Sequence, residues 1–255
     1  MELTEQLLII APALVAGIVV MATHLPLGQQ VLKRGIIFID LAIAQIAAIG
    51  AMLVALFIHE HSWLEWFIPL AFAIAGALLI ALLEQRIKAQ LEAFIGVIYI
   101  GSAAAGSMLV AASPHGQELL HSVLSGQILW TDWSTLWIPA GISAALVALL
   151  AVKPALLQSR WFYPIFAIAI TLSVQIIGVY LVFATLIVPA LAANSVTKAP
   201  RTQLLLAGLV GILGYTIGLL SSLGLDLPSG PTIVLSLIVL GTLLRVSKVA
   251  TRTTP

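Results

Sequence analysis

The segment from Thr171 to Arg201 reads TLSVQIIGVYLVFATLIVPALAANSVTKAPR, with Gly178 in its middle and Pro189 near its end. It belongs to an apolar stretch that extends from Trp161 to Ala193. That stretch is about half again as long as one membrane-spanning helix, which needs roughly 20 residues. Because one straight helix does not account for it, the sequence predicts a turn or a break inside the membrane.

Basic residues on both sides of this stretch indicate where its ends lie. Arg160 precedes it, and Lys198 and Arg201 follow it. Since basic residues that flank a span are strongly biased to the cytoplasm, both ends are expected inside the cell and the stretch is predicted to be a hairpin. We expect the reversal near Gly178, because glycine lets the backbone turn, and at least one short, tilted or broken limb. Broken backbone at membrane depth is tolerated where it lines an aqueous path, so the hairpin is a candidate gate.

The composition is typical of an all-α polytopic membrane protein. Apolar residues make up 61% and charged residues 8% of the 255 residues, with a mean hydropathy of +1.16, which leaves too little polar surface for a soluble globule. The absence of cysteine from the sequence excludes disulfides and cysteine metal sites. No Walker-type phosphate loop occurs, so we expect no enzyme activity in this chain and ATP hydrolysis on another polypeptide. Residues 1–255 are expected to form a single transmembrane domain in a lipid bilayer, with no nucleic-acid partner.

The charge distribution predicts the topology. Apolar runs cover residues 7–23, 36–58, 66–83, 94–112, 136–152, 161–193, 204–223 and 232–244, and counting the hairpin as two gives about nine crossings. All 11 basic residues then fall in alternate loops. They are Lys33, Arg34, Arg86, Lys88, Lys153, Arg160, Lys198, Arg201, Arg245, Lys248 and Arg252. This segregation predicts an outside amino terminus and an inside carboxyl terminus.

Polar residues inside the membrane are candidates for a translocation path, because they are expensive to bury in hydrocarbon. Asp40 and Gln45 lie in the second apolar run, roughly 140° apart around one helix at about 100° per residue. One straight helix cannot easily present both to one ion. One interpretation puts Gln45 on the path with Leu41, Ala48 and Ile49, and turns Asp40 toward a neighbouring helix or an inner vestibule. The other makes Asp40 a hydrogen bonder in helix packing.

Gln175 is the third path candidate and lies just before the expected break at Gly178. An interhelical hydrogen bond would explain a buried amide at this position. The functional alternative places Gln175 beside Gln45, across the pore or across a dimer axis.

The longest outer loop carries ligand-type side chains. His115, Glu118 and His121 follow one another at a spacing of three, which brings neighbours within reach but sets the two histidines about 9 Å apart along a helix. One neighbouring pair is able to hold an ion. A metal relay at the outer entrance and a hydrated amphipathic turn are both compatible with this pattern.

Several stretches resemble the permease subunits of metal-importing ABC transporters, the zinc, manganese and iron group. The hairpin carries VQIIGVYLV at 174–182 and TLIVPA at 185–190, and the outer loop carries SPHGQELLHSVLSGQILW at 113–130. EAFIG at 92–96 and LDLPSG at 225–230 are also similar to family motifs. Together the similar stretches cover most of the chain.

The resemblance implies a type II ABC importer-like permease in a bacterial cytoplasmic membrane. Such a permease works as a homodimer with two ABC ATPase subunits inside and an extracytoplasmic metal-binding protein outside. The segment at about 190–201 would be the coupling helix that contacts the ATPase. ATP-driven closure of the ATPases would move it and open or close a dimer-interface pore lined by the second helix and the hairpin. The implied coupling residues are Pro189, Ala193, Asn194, Thr197, Lys198 and Arg201.

The second helix departs from the family pattern of an aspartate followed four residues later by a histidine. Gln45 takes the histidine position and Leu41 the aspartate position, with Asp40 displaced by one. Zinc is the expected cargo, with ATP on the partner and no permanently bound cofactor. An amide oxygen is a poor zinc ligand, however, so manganese and iron stay open. The alternatives are a permease for a metal chelate of the iron-siderophore or cobalamin type and, from another class, a non-transporting membrane scaffold.

Overall fold

The computed structural model describes residues 3–58, 63–111, 116–126 and 128–253, and the regular structure in these ranges is entirely helical. Within these ranges, three short 3₁₀ turns accompany ten α-helices. The α-helices are α1 Leu3–Arg34, α2 Ile39–Phe57, α3 Leu64–Ile87, α4 Leu91–Val110, α5 Gly116–Ser125, α6 Trp133–Val152, α7 Phe162–Ile177, α8 Val179–Val196, α9 Pro200–Leu225 and α10 Ser229–Thr253. The predicted all-α fold is confirmed. The first helix continues well past Thr23, where its apolar run ends, to Arg34.

Seven segments of the described chain are long and apolar enough to cross a membrane. One of them, Leu64–Val110, has 47 residues and contains both α3 and α4. At about 1.5 Å per residue it would be roughly 70 Å long, more than twice the thickness of a hydrocarbon core. Helix α7, with 16 residues, is shorter than a full crossing. Each predicted apolar run therefore has its helix, and the count of nine crossings stays a prediction.

The predicted break in the hairpin is confirmed at Gly178. Helix α7 ends at Ile177 and α8 begins at Val179, and Gly178 between them has φ 78° and ψ 164°. This region of conformational space is essentially restricted to glycine. From the break the limbs diverge, because α7 packs mainly against α3 whereas α8 packs against α1, α9 and α10.

Three glycines meet at this break and form what we call the glycine junction: Gly126, Gly178 and Gly230. A Cβ atom on Gly178 would overlap the backbone of Gly126, and a Cβ on Gly126 would overlap the Ile177 carbonyl. A Cβ on Gly230, in the first turn of α10, would lie 2.5 Å from the Ser125 carbonyl oxygen. The junction thus joins the hairpin, the outer loop and the first turn of α10.

The opposite end of the bundle is tied together by Arg34. Its Nη1 donates to Glu84 Oε1 at 3.1 Å, and Nη2 donates to the carbonyls of Leu157 at 3.2 Å and Ser159 at 3.0 Å. The guanidinium also lies 4.6 Å from the centroid of the Phe162 ring. These contacts connect the end of α1, the last turns of α3 and the segment before α7, which are three regions predicted to share the cytoplasmic face.

Exposed tryptophans mark the level of the glycine junction. Trp63, Trp130, Trp133 and Trp137 are all more than half exposed and lie at or near the outer ends of α3 and α6. Tryptophan is enriched at membrane–water interfaces. We therefore expect the junction to lie near the interface of a bilayer rather than at its centre.

Candidate functional site: a cavity between α2, α3 and α7

A cavity of about 550 Å³ lies beside the glycine junction. On one side its wall is formed by small residues of α2, namely Ala47, Ala48 and Ala51. On another side it is formed by the first turns of α3, where Glu65 and Pro69 line it. A wall of alanines leaves room for water, so the volume arises directly from the sequence of α2.

The far wall of the cavity comes from the broken hairpin. Thr171, Val174, Gln175 and Ile176 of α7 line it, and the Gln175 side chain is exposed there. Gly126 of the junction completes this side. The structure thus brings the predicted path residue Gln175 and the predicted break to one cavity.

The side-chain atoms of the wall that could ligate a metal ion are all oxygens, whereas Trp66 and Trp130 contribute indole N–H donors. Among the described lining residues, Glu65 is the one charged side chain. Thr171 Oγ1 donates to the Ala167 carbonyl at 2.8 Å, and Thr135 Oγ1 donates to the Asp132 carbonyl at 2.8 Å. Since each hydroxyl has one proton and two lone pairs, these threonines have only lone pairs left for another partner. The wall is therefore suited to cations.

Asp40 lies deeper in α2 than the cavity and on the same side of the helix. At about 100° per residue, Ala47 and Ala51 are only roughly 20° away from Asp40 around the helix axis. Asp40 is fully buried, and neither of its carboxylate oxygens has a hydrogen-bond partner among the described residues. At about 1.5 Å per residue it is roughly 10 Å further along α2 than Ala47. A buried carboxylate without a partner therefore lies in line with the cavity.

Gln45 is on a different side of α2. It shares that side with Met52, seven residues on, which lies against α4: a Cβ on Gly106 would be 3.4 Å from the Met52 sulfur. Ile49, grouped with Gln45 in the sequence interpretation, also approaches Gly106. Of that group, Ala48 lines the cavity, and Gln45 itself is 5% exposed and not part of the wall.

The outer ligand-type residues are only partly within the described chain. His115 lies outside the described residues, whereas Glu118 and His121 belong to α5 and are exposed. His121 Nε2 is 3.4 Å from Ser125 Oγ, close to the glycine junction. The described residues contain no group of three or more histidine, aspartate or glutamate side chains that could hold a metal. The outer relay stays a prediction.

The predicted coupling residues lie at the end of α8 and just beyond it. Pro189 and Ala193 are buried within α8, and Asn194 is half-buried. Lys198 and Arg201, which follow the helix, are exposed. The segment therefore has a packed part that fixes its position and a charged part that is accessible.

Thr197 forms the break between α8 and α9. Its carbonyl accepts a hydrogen bond of 2.9 Å from Gln203 Nε2, and its Oγ1 accepts one of 3.2 Å from the Ala199 N–H. Gln203 was missed from the sequence, since a lone glutamine in an amphipathic first turn carries no specific signal. Glu65 was missed as a site residue for a similar reason, because the sequence marks it only as one of several outer acids.

The described residues form a helical bundle of membrane-spanning length with a broken hairpin and a cavity beside the break, which is an architecture typical of polytopic membrane permeases. The chain belongs to the ABC 3 transport family, which its residues 6–164 and 150–247 match. The family recognised from the hairpin and outer-loop motifs is thereby confirmed.

Relatives of known name span nearly the whole chain. The manganese transport system membrane protein MntC of Listeria innocua is 28% identical over 245 residues, covering 88% of this chain and 85% of the relative. The high-affinity zinc uptake system membrane protein ZnuB of Haemophilus influenzae is 24% identical over 246 residues, covering 89% and 93%. The solved structure of PsaBC from Streptococcus pneumoniae in complex with Fab superposes with a TM-score of 0.72 at 21% identity, covering 92% of this chain and 90% of that one. At that identity the superposition establishes the shared fold.

Proposed function

We propose that the chain is the membrane-spanning subunit of an ATP-driven, binding-protein-dependent importer of divalent metal ions. The observation that carries the proposal is the alignment of the buried carboxylate of Asp40 with a cavity whose wall includes Glu65, Gln175 and threonine hydroxyls. Buried ionisable residues in membrane proteins face functional cavities far more often than lipid. Membership of the ABC 3 transport family and the metal-transport names of its relatives support the same conclusion.

The translocation path in this proposal begins in the cavity at Gln175 and continues along the alanine side of α2 to Asp40. Gln45 and Asp40 were both candidates for the path, and the side of α2 that carries Gln45 is the one that packs against α4. We therefore assign the deep ligand to Asp40 and a supporting role to Gln45, which would hold α2 and α4 in register. A path site that binds weakly is an advantage, because a tight site would trap its cargo.

The cargo in this proposal is a divalent transition metal. Zinc is the expectation from the sequence, and manganese and zinc are both named in relatives. Asp40 supplies a hard oxygen ligand, which both ions accept. A cavity of about 550 Å³ also falls in the range of small-molecule sites, so a metal chelate is the second candidate.

The partners in this proposal follow from the accessible ends of the molecule. Lys198 and Arg201 are exposed beside the end of α8, and they are suited to an acidic groove on an ATPase. We assign this end to the cytoplasm of a bacterial cell, with the amino terminus outside, and two copies of the chain to each transporter. Reversing both charges with Lys198→Glu and Arg201→Glu should abolish co-purification of the ATPase, whereas Lys33→Glu, at the same end, should not.

Uptake of radiolabelled manganese and zinc tests the function. Cells that lack the chain would be complemented with wild type, Asp40→Asn, Gln45→Ala or the control Asp226→Asn, which makes the same change in an exposed outer turn. The proposal expects metal uptake with wild type and the control, and its loss with Asp40→Asn at equal membrane abundance. Equal uptake with Asp40→Asn would remove Asp40 from the path. If an assembled wild-type complex takes up no metal ion, the result would contradict the metal-ion proposal and favour a metal chelate as the cargo.

A further inference from the structure

Glu65 is the charged residue that the path just described does not use. It lies in the first turn of α3, is exposed, and lines the outer cavity opposite Gln175. The other polar groups of the wall are the Gln175 amide, the hydroxyls of threonines and the indole N–H groups of Trp66 and Trp130. Glu65 is thus the single full negative charge among the described residues of a cavity that otherwise offers neutral dipoles.

We infer that Glu65 is the entry ligand of the outer cavity and takes a hydrated, hard divalent cation of the Mn²⁺ class. This inference rests on the proposed function and deepens it. Carboxylate, carbonyl and water oxygens are the ligands that suit manganese, whereas zinc, which also accepts carboxylate, is bound most often by imidazole and thiolate. A cavity of about 550 Å³ has room for an ion with much of its hydration shell.

The threonines of the wall strengthen the case for a cation. Because Thr171 and Thr135 donate their hydroxyl protons to the Ala167 and Asp132 carbonyls, they have only lone pairs left to offer another partner. Gln175 supplies a carbonyl-type oxygen on the same wall. One carboxylate with neutral oxygens gives a weak site, which releases its ion inward to Asp40 rather than trapping it.

The position of Glu65 at a helix end also has an effect that opposes cation binding. The amino-terminal end of α3 carries the positive end of the helix dipole, which stabilises the carboxylate but reduces its attraction for a cation. That contribution is a partial charge, screened by water at an exposed helix end, and the Glu65 carboxylate is a full one. The net field of the cavity therefore attracts cations.

The expected selectivity of the cavity is expressed as the ratio of its zinc affinity to its manganese affinity. Zinc exceeds manganese in raw affinity at almost any site of nitrogen, oxygen or sulfur ligands. An oxygen wall keeps this advantage small, and an imidazole in place of Glu65 would enlarge it. Glu65→His should therefore raise the ratio of zinc to manganese affinity and slow zinc release into the path.

The test uses the purified full-length chain in nanodiscs of phosphatidylcholine. Mn²⁺ alone is titrated in and its unbound signal is followed by electron paramagnetic resonance, and Zn²⁺ is then added as competitor. Glu65→Gln should weaken manganese binding at least about tenfold, the lower end of the loss seen when support for a metal site is removed. Glu65→Asp, which keeps the charge, should retain most of the binding. Asp226→Asn serves as the matched control and should bind as wild type does.

Two outcomes would overturn the inference: Glu65→Gln binding manganese like Asp226→Asn, or Glu65→His leaving the ratio of zinc to manganese affinity unchanged. A thermal unfolding curve of Glu65→Gln that matches wild type separates loss of a ligand from loss of the fold. The uptake assay separates this inference from the proposed function. If the cells take up metal but Glu65→Gln binds manganese as tightly as wild type, only the inference about Glu65 is contradicted. If manganese binding depends on Glu65 but no metal is taken up, only the proposed function is contradicted.

Discussion

Replacing Gly178 with alanine should damage the permease more than any comparable change in an exposed part of a helix. The residue has φ 78° and ψ 164°, a conformation that for other residues has a free-energy cost of roughly 1–3 kcal/mol. The new Cβ would also overlap the backbone of Gly126, which has no side chain to move aside. Overpacking of this kind destabilises proteins by about 1–3 kcal/mol more. The expected total is about 2–6 kcal/mol.

Thermal unfolding of the purified chain in detergent measures this loss. For a chain of this size, each kcal/mol lowers the Tm by about 2–4 °C, so Gly178→Ala should lower it by at least about 4 °C. Gly141→Ala is the matched control, because Gly141 lies within α6 and an added Cβ would meet nothing within 4 Å. Since alanine is the better helix former, Gly141→Ala should keep or slightly raise the Tm.

The contact between Gly178 and Gly126 leads to a second, more specific prediction about the stability of the double variant. Both Gly126→Ala and Gly178→Ala disrupt the same approach of two backbones, so the double variant should lose less stability than the sum of the two single variants. Gly178→Ala unfolding at the same temperature as Gly141→Ala would refute the account of the junction. Strict additivity of the two substitutions would refute the direct contact.

Two further pairs of variants test the packing at other depths. Arg34→Ala should lower the free energy of unfolding by roughly 1.5–3 kcal/mol, because it removes the hydrogen bonds to Glu84 and to two backbone carbonyls. Lys33→Ala, at an exposed position, should change it by less than about 0.5 kcal/mol. Equal effects of the two substitutions would contradict the role of Arg34 in tying these helices together. Thr185→Val should lower the free energy of unfolding by about 1–3 kcal/mol, because it leaves the buried Tyr215 hydroxyl without its 2.8 Å partner. Tyr215→Phe should lower it by only about 0.5–1.5 kcal/mol, because Thr185 keeps its hydrogen bond to a backbone carbonyl. Chemical or thermal unfolding in detergent measures both, and the reverse order for Thr185 and Tyr215 would contradict the hydrogen-bond assignment.

Features that depend on residues close to one another along the chain were predictable from the sequence. The break at Gly178 was predicted because charge parity required a reversal and the apolar stretch offered one central glycine. The all-helical bundle followed from hydropathy, since only helices satisfy the backbone in a long apolar chain of this kind. Both signals lie within one segment of the chain.

Features that depend on which helices pack together were not predictable. The angle between Asp40 and Gln45 followed from helix geometry, but which of the two faces the cavity depends on where α4 and α7 lie around α2. Sequence alone left Asp40 and Gln45 both as candidates, whereas the packing of Met52 against Gly106 puts the Gln45 side of α2 against α4. The same limit applies to Arg34, whose partners Glu84 and Ser159 are distant in sequence.

The chain offers a direct test of the aqueous path, because it contains no native cysteine. A single cysteine at Ala51, in the cavity wall, would be treated with a membrane-impermeant thiol reagent from the outside, and metal uptake would be measured before and after. Ala105→Cys is the control, since Ala105 is exposed on α4 outside the cavity wall. We expect that Ala51→Cys is labelled, that Mn²⁺ slows the labelling, and that labelling stops uptake, whereas metal uptake by Ala105→Cys is unchanged by the reagent. Failure of Ala51→Cys to react, or uptake that continues after complete labelling, would contradict a metal path through this cavity.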